Sequence, residues 1–159
     1  MSDGGPFHAF VDESIRDDGY YRLTAVRVHA RDIASVGRAI RSLVLRGQRR
    51  LHLTDESDRR KRLILGRLAA LPVEVSVYTT PYNRRTSDQP ARDRCLHALA
   101  LDVDRHRVAV VVLDSRGPHR DRLDRLALAA VLDTAGLDHV TYTHRGSRDD
   151  PLLALPDAF

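Results

Sequence analysis

Two hydrophobic periods take turns along this chain. A period of two marks half-buried strands, and i, i+3, i+4 spacing marks helices with one apolar face. Phe7 to Val11 is a short apolar run ending in Asp12, and Tyr20 to Val28 reads as a second strand. Between them, Asp17-Asp18-Gly19 is the chemistry of a hairpin turn. Asp32 caps a predicted helix whose stripe is Ile33, Val36, Ile40, Leu43 and Val44. Leu51 and Leu53 alternate with His52, which predicts a short strand. A second helix starts at Ser57 or Asp58, with Leu63, Ile64, Leu68 and Leu71 facing inward and Pro72 beyond them.

The second half continues the alternation. Val73, Val75, Val77 and Thr79 predict a strand, and Cys95, Leu99 and Val103 share one face of a third helix. Val108 to Leu113 is a continuous apolar run, the pattern of a central strand buried on both faces. Gly117-Pro118 opens a fourth helix with Leu123, Leu126, Ala127, Ala130 and Val131 as its apolar positions, and Gly136 is placed to end it. His139 to Thr143 reads as the last strand, and Asp150-Pro151 begins a terminal segment. Strands alternating with helices after an antiparallel hairpin imply an α/β domain with a mixed sheet. The length of 159 residues fits one domain, residues 1–159.

An apolar content of 42% supports a packed core and excludes a wholly disordered chain. The net charge of +4 is a mild basic excess, but all except one of the 26 basic residues are arginine, Lys61 being the exception. Guanidinium forks suit phosphate oxygens, which points to nucleic acid. GC-rich coding also enriches arginine, and Arg92-Asp93-Arg94 and Asp121-Arg122 read as ordinary solvated faces. Composition therefore does not choose a partner. Cys95 is the only cysteine, so no intrachain disulfide or cysteine-based zinc cage forms, and its place is a buried helix face. No basic segment followed by an apolar run opens the chain, and no apolar stretch approaches bilayer length. The expectation is a cytoplasmic protein with no membrane partner.

Several nucleotide and nucleophile signatures are missing. The sequence has no phosphate loop, no Gly-x-Gly-x-x-Gly fingerprint and no Gly-x-Ser-x-Gly elbow, which argues against an NTPase, a dehydrogenase or a serine hydrolase. The eight histidines show no zinc-ligand spacing. Acids at strand exits are more informative, because ligands of α/β sheets gather beyond the carboxyl ends of strands. Asp12 and Glu13 follow Phe10-Val11, Asp55 and Glu56 follow Leu51-His52-Leu53, Asp114 follows Val112-Leu113, and Asp157 lies in the terminal segment. Individually, Asp55, Asp58 and Asp114 also suit helix or turn caps. Only three glutamates occur among the 22 acidic residues, and two of them, Glu13 and Glu56, stand in Asp-Glu-Ser triplets. Clustered carboxylates repel unless a cation or proton intervenes, and magnesium or manganese is a hard cation suited to oxygen ligands. Paired ions about 3.5–4 Å apart serve phosphodiester hydrolysis.

Phe10-Val11-Asp12-Glu13-Ser14, followed by the Leu23 to Val28 strand, resembles the opening of domain-of-unknown-function family 3800. Leu51-His52-Leu53-Thr54-Asp55-Glu56-Ser57 is similar to the family's next acidic motif, and Asp114 to the aspartate ending its central strand. The Ser147 to Asp157 segment is similar to its last motif, with Ala154 in place of glutamine and Pro156 before the aspartate. Ser57 stands where a lysine is common, and relatives continue into a C-terminal helix beyond the position of Asp157. The resemblance implies a ribonuclease-H-like mixed sheet with flanking helices and a divalent-metal-dependent nuclease activity. Under it, Asp12, Glu56, Asp114 and Asp157 would hold Mg or Mn, with Glu13 as a further ligand or base.

Basic residues flank this set. Arg49 and Arg50 lead into the His52 segment, and Arg59 and Arg60 follow Glu56, positions suited to a substrate's phosphate backbone. The second group also reads as a solvated helix face. His52 could orient a carboxylate or move a proton, against the plainer reading of a strand histidine satisfied by a backbone group. Aromatic residues make up 5% of the chain and include no Trp, too few to support base stacking as the main recognition device. The leading expectation is a metal-dependent phosphodiesterase acting on nucleic acid. The competing one is a catalytically inactive nucleic-acid or protein-binding module on the same fold.

Overall fold

The computed structural model describes residues 6–159. Strand β1 (Phe7–Ile15) and strand β2 (Tyr20–His29) form the expected hairpin, with Gly19 supplying the positive φ of +81° at the turn. Helix α1 (Ile33–Leu43) and helix α2 (Asp58–Ala69) follow, then strand β3 (Val73–Pro81). Helix α3 (Gln89–Asp102), strand β4 (Val108–Asp114), helix α4 (Pro118–Thr134), strand β5 (Thr141–Arg145) and the short helix α5 (Ala154–Ala158) complete the chain. The five-stranded sheet has the order β3-β2-β1-β4-β5. Strands β1, β2 and β3 pair antiparallel, whereas β4 and β5 add in parallel.

Side-chain alternation on the central strands divides the core into two layers. Ala9 and Val11 face one side, where they pack with Tyr21, Leu23, Cys95, Leu99, Leu113 and Leu128 beneath α3 and α4. Phe10 faces the other, with Val26, Ile40, Ile64, Leu68, Val112 and Leu155 beneath α1, α2 and α5. Each fully buried Leu or Ile contributes about 1.5–3 kcal/mol, so both layers hold the sheet in place.

Four local expectations change. Leu51 to Leu53 forms no strand; Leu51 is buried in the second layer, and a 3-10 turn begins at Leu53. Leu51 and Leu53 both pack on the second layer from an irregular loop, and neither edge strand, β3 or β5, pairs with this segment. In α2, Ile64 and Leu68 are buried while Leu63 stays 48% exposed. In α4, the buried face is Asp121, Asp124, Leu128, Val131 and Leu132, and Leu126 is exposed. The helix is rotated from its expected face because Asp124 points inward to Arg92 and Arg116, and Asp121 to the Ser115 hydroxyl and the Arg116 N–H. The last strand also starts two residues later than its pattern suggests.

Candidate functional site

The place where two parallel strands stop pairing sets the site. Strand β4 pairs with β1 from Phe7 to Val11, where Val11 lies opposite Leu113, so Asp12 and Asp114 each come one residue after the last pair. Strand β1 nevertheless continues to Ile15 on the β2 ladder, with Asp12 opposite Thr24 and Glu13 opposite Leu23. Asp12 and Asp114 follow Phe10 and Val112 toward the α5 layer, whereas Glu13 follows Val11 toward α3.

The electrostatics bring four acids together. Burial, followed by the charges of Glu13 and Asp114, pushes the Asp12 carboxyl up to about 7, with a smaller push from Asp157. The Glu13 N–H donates to Asp12 Oδ1 at 2.8 Å and offsets part of this rise. Asp114 is raised by burial and then by Glu13, against the nearby Arg50 charge and a hydrogen bond from the Ser147 N–H. Asp157 sits on α5, where its Oδ2 lies 2.8 Å from His52 Nδ1 and accepts from the Leu53 N–H at 3.2 Å. Among the described residues, neither Asp12 nor Asp114 has a cationic side chain in an ion pair.

Glu13 is fixed from behind. Its Oε2 accepts from Arg92 Nη1 at 2.6 Å, and its Oε1 has no partner among the described residues. Arg92 has no solvent exposure and forks onto Asp124, with Nε to Oδ1 at 2.7 Å and Nη2 to Oδ2 at 2.8 Å. Arg116 Nη2 and His144 Nε2 also meet Asp124, at 3.3 and 3.0 Å. Burial pushes the Asp124 carboxyl up, but His144 and Arg92 bring it down to about 2. Asp121 accepts from Ser115 Oγ and from the Arg116 N–H. Asp121, Asp124 and His144 have ligand-type atoms within 4.8 Å of one another. Their oxygens are already occupied by guanidinium, hydroxyl and backbone donors, which gives this cluster the character of a buried ion-pair network.

The remaining expected residues lie around this centre. Glu56 accepts from Gln48 Nε2 at 2.9 Å and from Arg60 Nε at 3.2 Å, and these two bonds hold its carboxyl below the usual range. Arg60 also donates to the Leu43 carbonyl. The second Asp-Glu-Ser triplet therefore ties α2 to the loop before it, and Ser57 caps α2 through the Arg60 N–H. Arg50 donates to Ser147 Oγ, next to the N–H that meets Asp114. Arg49 and Arg50 line hollows beside His52, and Arg59 is exposed on α2. A separate cavity of about 390 Å³ borders Glu13 and Asp157 and is lined in part by Arg16, Arg22 and Thr24. Arg92 and Asp124 carried no motif, and their only sequence signal was charge on helix faces otherwise read as solvated.

The sequence matches no protein-family model and no curated protein sequence. Solved structures do match. One is RNase HII from Archaeoglobus fulgidus in its complex with PCNA, at a TM-score of 0.56 and 16% identity, covering 96% of this chain and 69% of that one. The fold is ribonuclease-H-like. A second such structure, a mutant form of Bst-RNase HIII, aligns at a TM-score of 0.50 and 15% identity over 98% of this chain, which spans 50% of its length. At these identities the likeness establishes the architecture. Within it, the acidic cluster lies where the β1–β4 pairing ends, with Asp12 and Glu13 inside β1 and Asp114 the last residue of β4. Among the described residues, no helix is long and apolar enough to cross a membrane.

Proposed function

We propose that this ribonuclease-H-like domain, spanning residues 1–159, is a divalent-cation-dependent phosphodiesterase acting on nucleic acid, with Mg or Mn held by Asp12, Asp114 and Asp157 and by the open oxygen of Glu13. The observation that carries this reading is the gathering of Glu13, Asp114 and Asp157 around the half-buried Asp12, whose carboxyl is pushed up to about 7 by burial and these charges. Such crowding is unfavourable for the protein alone and is relieved by a hard cation with oxygen ligands. The donor set fits: the acids contribute only oxygens, and Asp12 and Asp114 have no competing ion pair among the described residues. Asp12, Asp114 and Asp157 also agree with the resemblance to domain-of-unknown-function family 3800, whereas Glu56, paired with Arg60, departs from it.

A bound divalent cation supplies charge that activates water and stabilises the leaving oxygen in phosphodiester hydrolysis. The chain's own residues prepare the place. Arg92 fixes one oxygen of Glu13 and leaves the other directed by that anchor. His52 and the Leu53 N–H set the orientation of Asp157. This is the support that carboxylate ligands need in order to hold their geometry. Arg49 and Arg50 present positive charge beside the acids for a phosphate backbone. Glu56 acts at a distance by bracing the Arg49-Arg50 loop through Gln48.

The test is cleavage of a panel of DNA, RNA and hybrid substrates with magnesium or manganese. The wild-type chain cleaves at least one, and Asp12→Asn and Asp114→Asn abolish that cleavage. Binding without turnover by the wild type would instead identify an inactive module on the same fold.

A further inference from the structure

We propose that the arginine-rimmed pocket between α1, the loop before α2 and the Ser147–Ala154 segment binds one nucleotide of the substrate strand. Its phosphate lies among the guanidinium groups and its base lies on the aliphatic floor. The inference rests on the nucleic-acid reading above and deepens it.

The pocket has the right size and a two-part chemistry. Its volume is about 390 Å³, within the range of small-ligand sites. Ile40, Val44, Leu51 and Pro151 make an apolar floor, and Arg41, Arg49, Arg50 and Arg148 stand around it against a single acid, Asp149. A second hollow of about 270 Å³ shares Arg49, Arg50 and Arg148 and reaches His52. The shared arginines place the two side by side, and His52, which holds Asp157, borders the second.

What marks this pocket is four arginines around one apolar-floored hollow, since arginines elsewhere, such as Arg59 and Arg85, also lack a carboxylate partner among the described residues. Arg22, Arg27, Arg60, Arg92 and Arg145 each have a carboxylate partner. Arg41, Arg49 and Arg148 have none among the described residues, although all three border one concavity. Gathering unpaired cations in one hollow is unfavourable until an anion enters, and arginine forks match phosphate oxygens. The apolar floor distinguishes a nucleotide from a bare anion, because it offers a surface that only the base can cover.

Two connections place the pocket in the working site. Arg50 donates to Ser147 Oγ, while the Ser147 N–H donates to Asp114. Gln48 accepts from the Leu45 N–H through Oε1 and donates to Glu56 through Nε2, fixing the loop that carries Arg49 and Arg50. A phosphate seated here would therefore be held beside the carboxylates by the same backbone turn that holds Asp114.

The experiment uses the full chain carrying Asp12→Asn, at low salt and without divalent ions. Calorimetry compares a nucleoside 5′-monophosphate, the unphosphorylated nucleoside and inorganic phosphate. The monophosphate is expected to bind about tenfold or more tightly than either part, a factor typical of combining a charge-assisted contact with apolar burial. The exposed double variant Arg41→Ala/Arg148→Ala should lose about tenfold in monophosphate affinity while keeping its melting temperature. Ala154→Leu, which fills the pocket wall, should weaken the monophosphate and leave inorganic phosphate unchanged. Equal binding of monophosphate and inorganic phosphate would reduce the pocket to a simple anion site. Binding indifferent to the arginine variants would also overturn the proposal. A wild-type chain that cleaves no substrate while the Asp12→Asn chain binds the monophosphate counts against the phosphodiesterase reading alone; a wild type that cleaves while the Asp12→Asn chain fails to bind the monophosphate counts against the pocket alone.

Discussion

His52 and Asp157 meet across 105 residues of sequence, with His52 Nδ1 at 2.8 Å from Asp157 Oδ2. The contact fastens a five-residue helix to the irregular loop before α2, and the Leu53 N–H adds a second bond at 3.2 Å. Asp157 is thereby held near the point where β1 and β4 stop pairing, where its charge acts on Asp12.

Removing that orientation should weaken cation binding without unfolding the domain. His52→Ala is expected to reduce divalent-cation affinity about 10–100-fold, the usual effect of losing a partner behind a metal ligand. His52→Asn, whose amide can replace Nδ1 as a donor, should recover much of it. Metal titrations followed by calorimetry report both, and equal affinity in His52→Ala and wild type would show that Asp157 needs no such support.

Asp12 predicts a stability gain from losing a charge. Its folded carboxyl is raised by burial to about 7 from an ordinary 3.8, so the folded chain holds the proton more tightly than the unfolded one. Stability is therefore highest below about pH 4 for this group and falls as pH rises toward about 7. Without cations, Asp12→Asn should melt at least about 5 °C above wild type at pH 8, at roughly 1.4 kcal/mol per pKa unit and 2–4 °C per kcal/mol. The gain should disappear near pH 4. A variant that melts lower than wild type at pH 8 refutes the crowding argument.

The buried network behaves in the opposite sense. Asp124 is held at about 2, so its contribution is complete above the ordinary carboxyl range and is lost as pH falls through about 2. Arg92→Met, which leaves Asp124 buried without its fork, should destabilise the domain by about 3–5 kcal/mol at neutral pH in urea unfolding. The difference should narrow as pH falls from about 4 toward 2. A change below about 1 kcal/mol would show that Arg116 and His144 suffice for Asp124.

Glu56 separates bracing from cation binding. Because its oxygens face Gln48 and Arg60, Glu56→Gln should lower the melting temperature and weaken nucleotide binding by loosening the Arg49-Arg50 loop. The rise in melting temperature caused by magnesium or manganese should persist. Its disappearance in Glu56→Gln would return Glu56 to the set of cation ligands.

Much of this fold could be read from hydrophobic period alone, since the β1–β2 hairpin, β4 and the α2 cap depend on local pattern and turn chemistry. Asp12, Glu13 and Asp114 stood out in the sequence as acids directly following apolar runs, although β1 continues past Asp12 and Glu13 to Ile15 and only Asp114 ends its strand. Glu56 looked like their equal because it repeats the Asp-Glu-Ser triplet, but the triplet's second copy lies on a loop that turns its carboxylate toward Arg60. Arg92 and Asp124 were hidden for a different reason. Charged residues on a helix read as solvent-facing, and their burial is possible only because they neutralise each other across α3 and α4. No local pattern carries that pairing. Leu51 to Leu53 misled because one-sided burial gives the same alternation with or without a partner strand.

In the proposed site, Asp12, Asp114 and Asp157 share a divalent cation. Calorimetric titration of manganese into the wild-type chain and into Asp114→Asn tests it most directly. Saturable binding by the wild type that Asp114→Asn abolishes, with the folded state intact, is the predicted result. Equal binding by both chains, or none by the wild type, would contradict it.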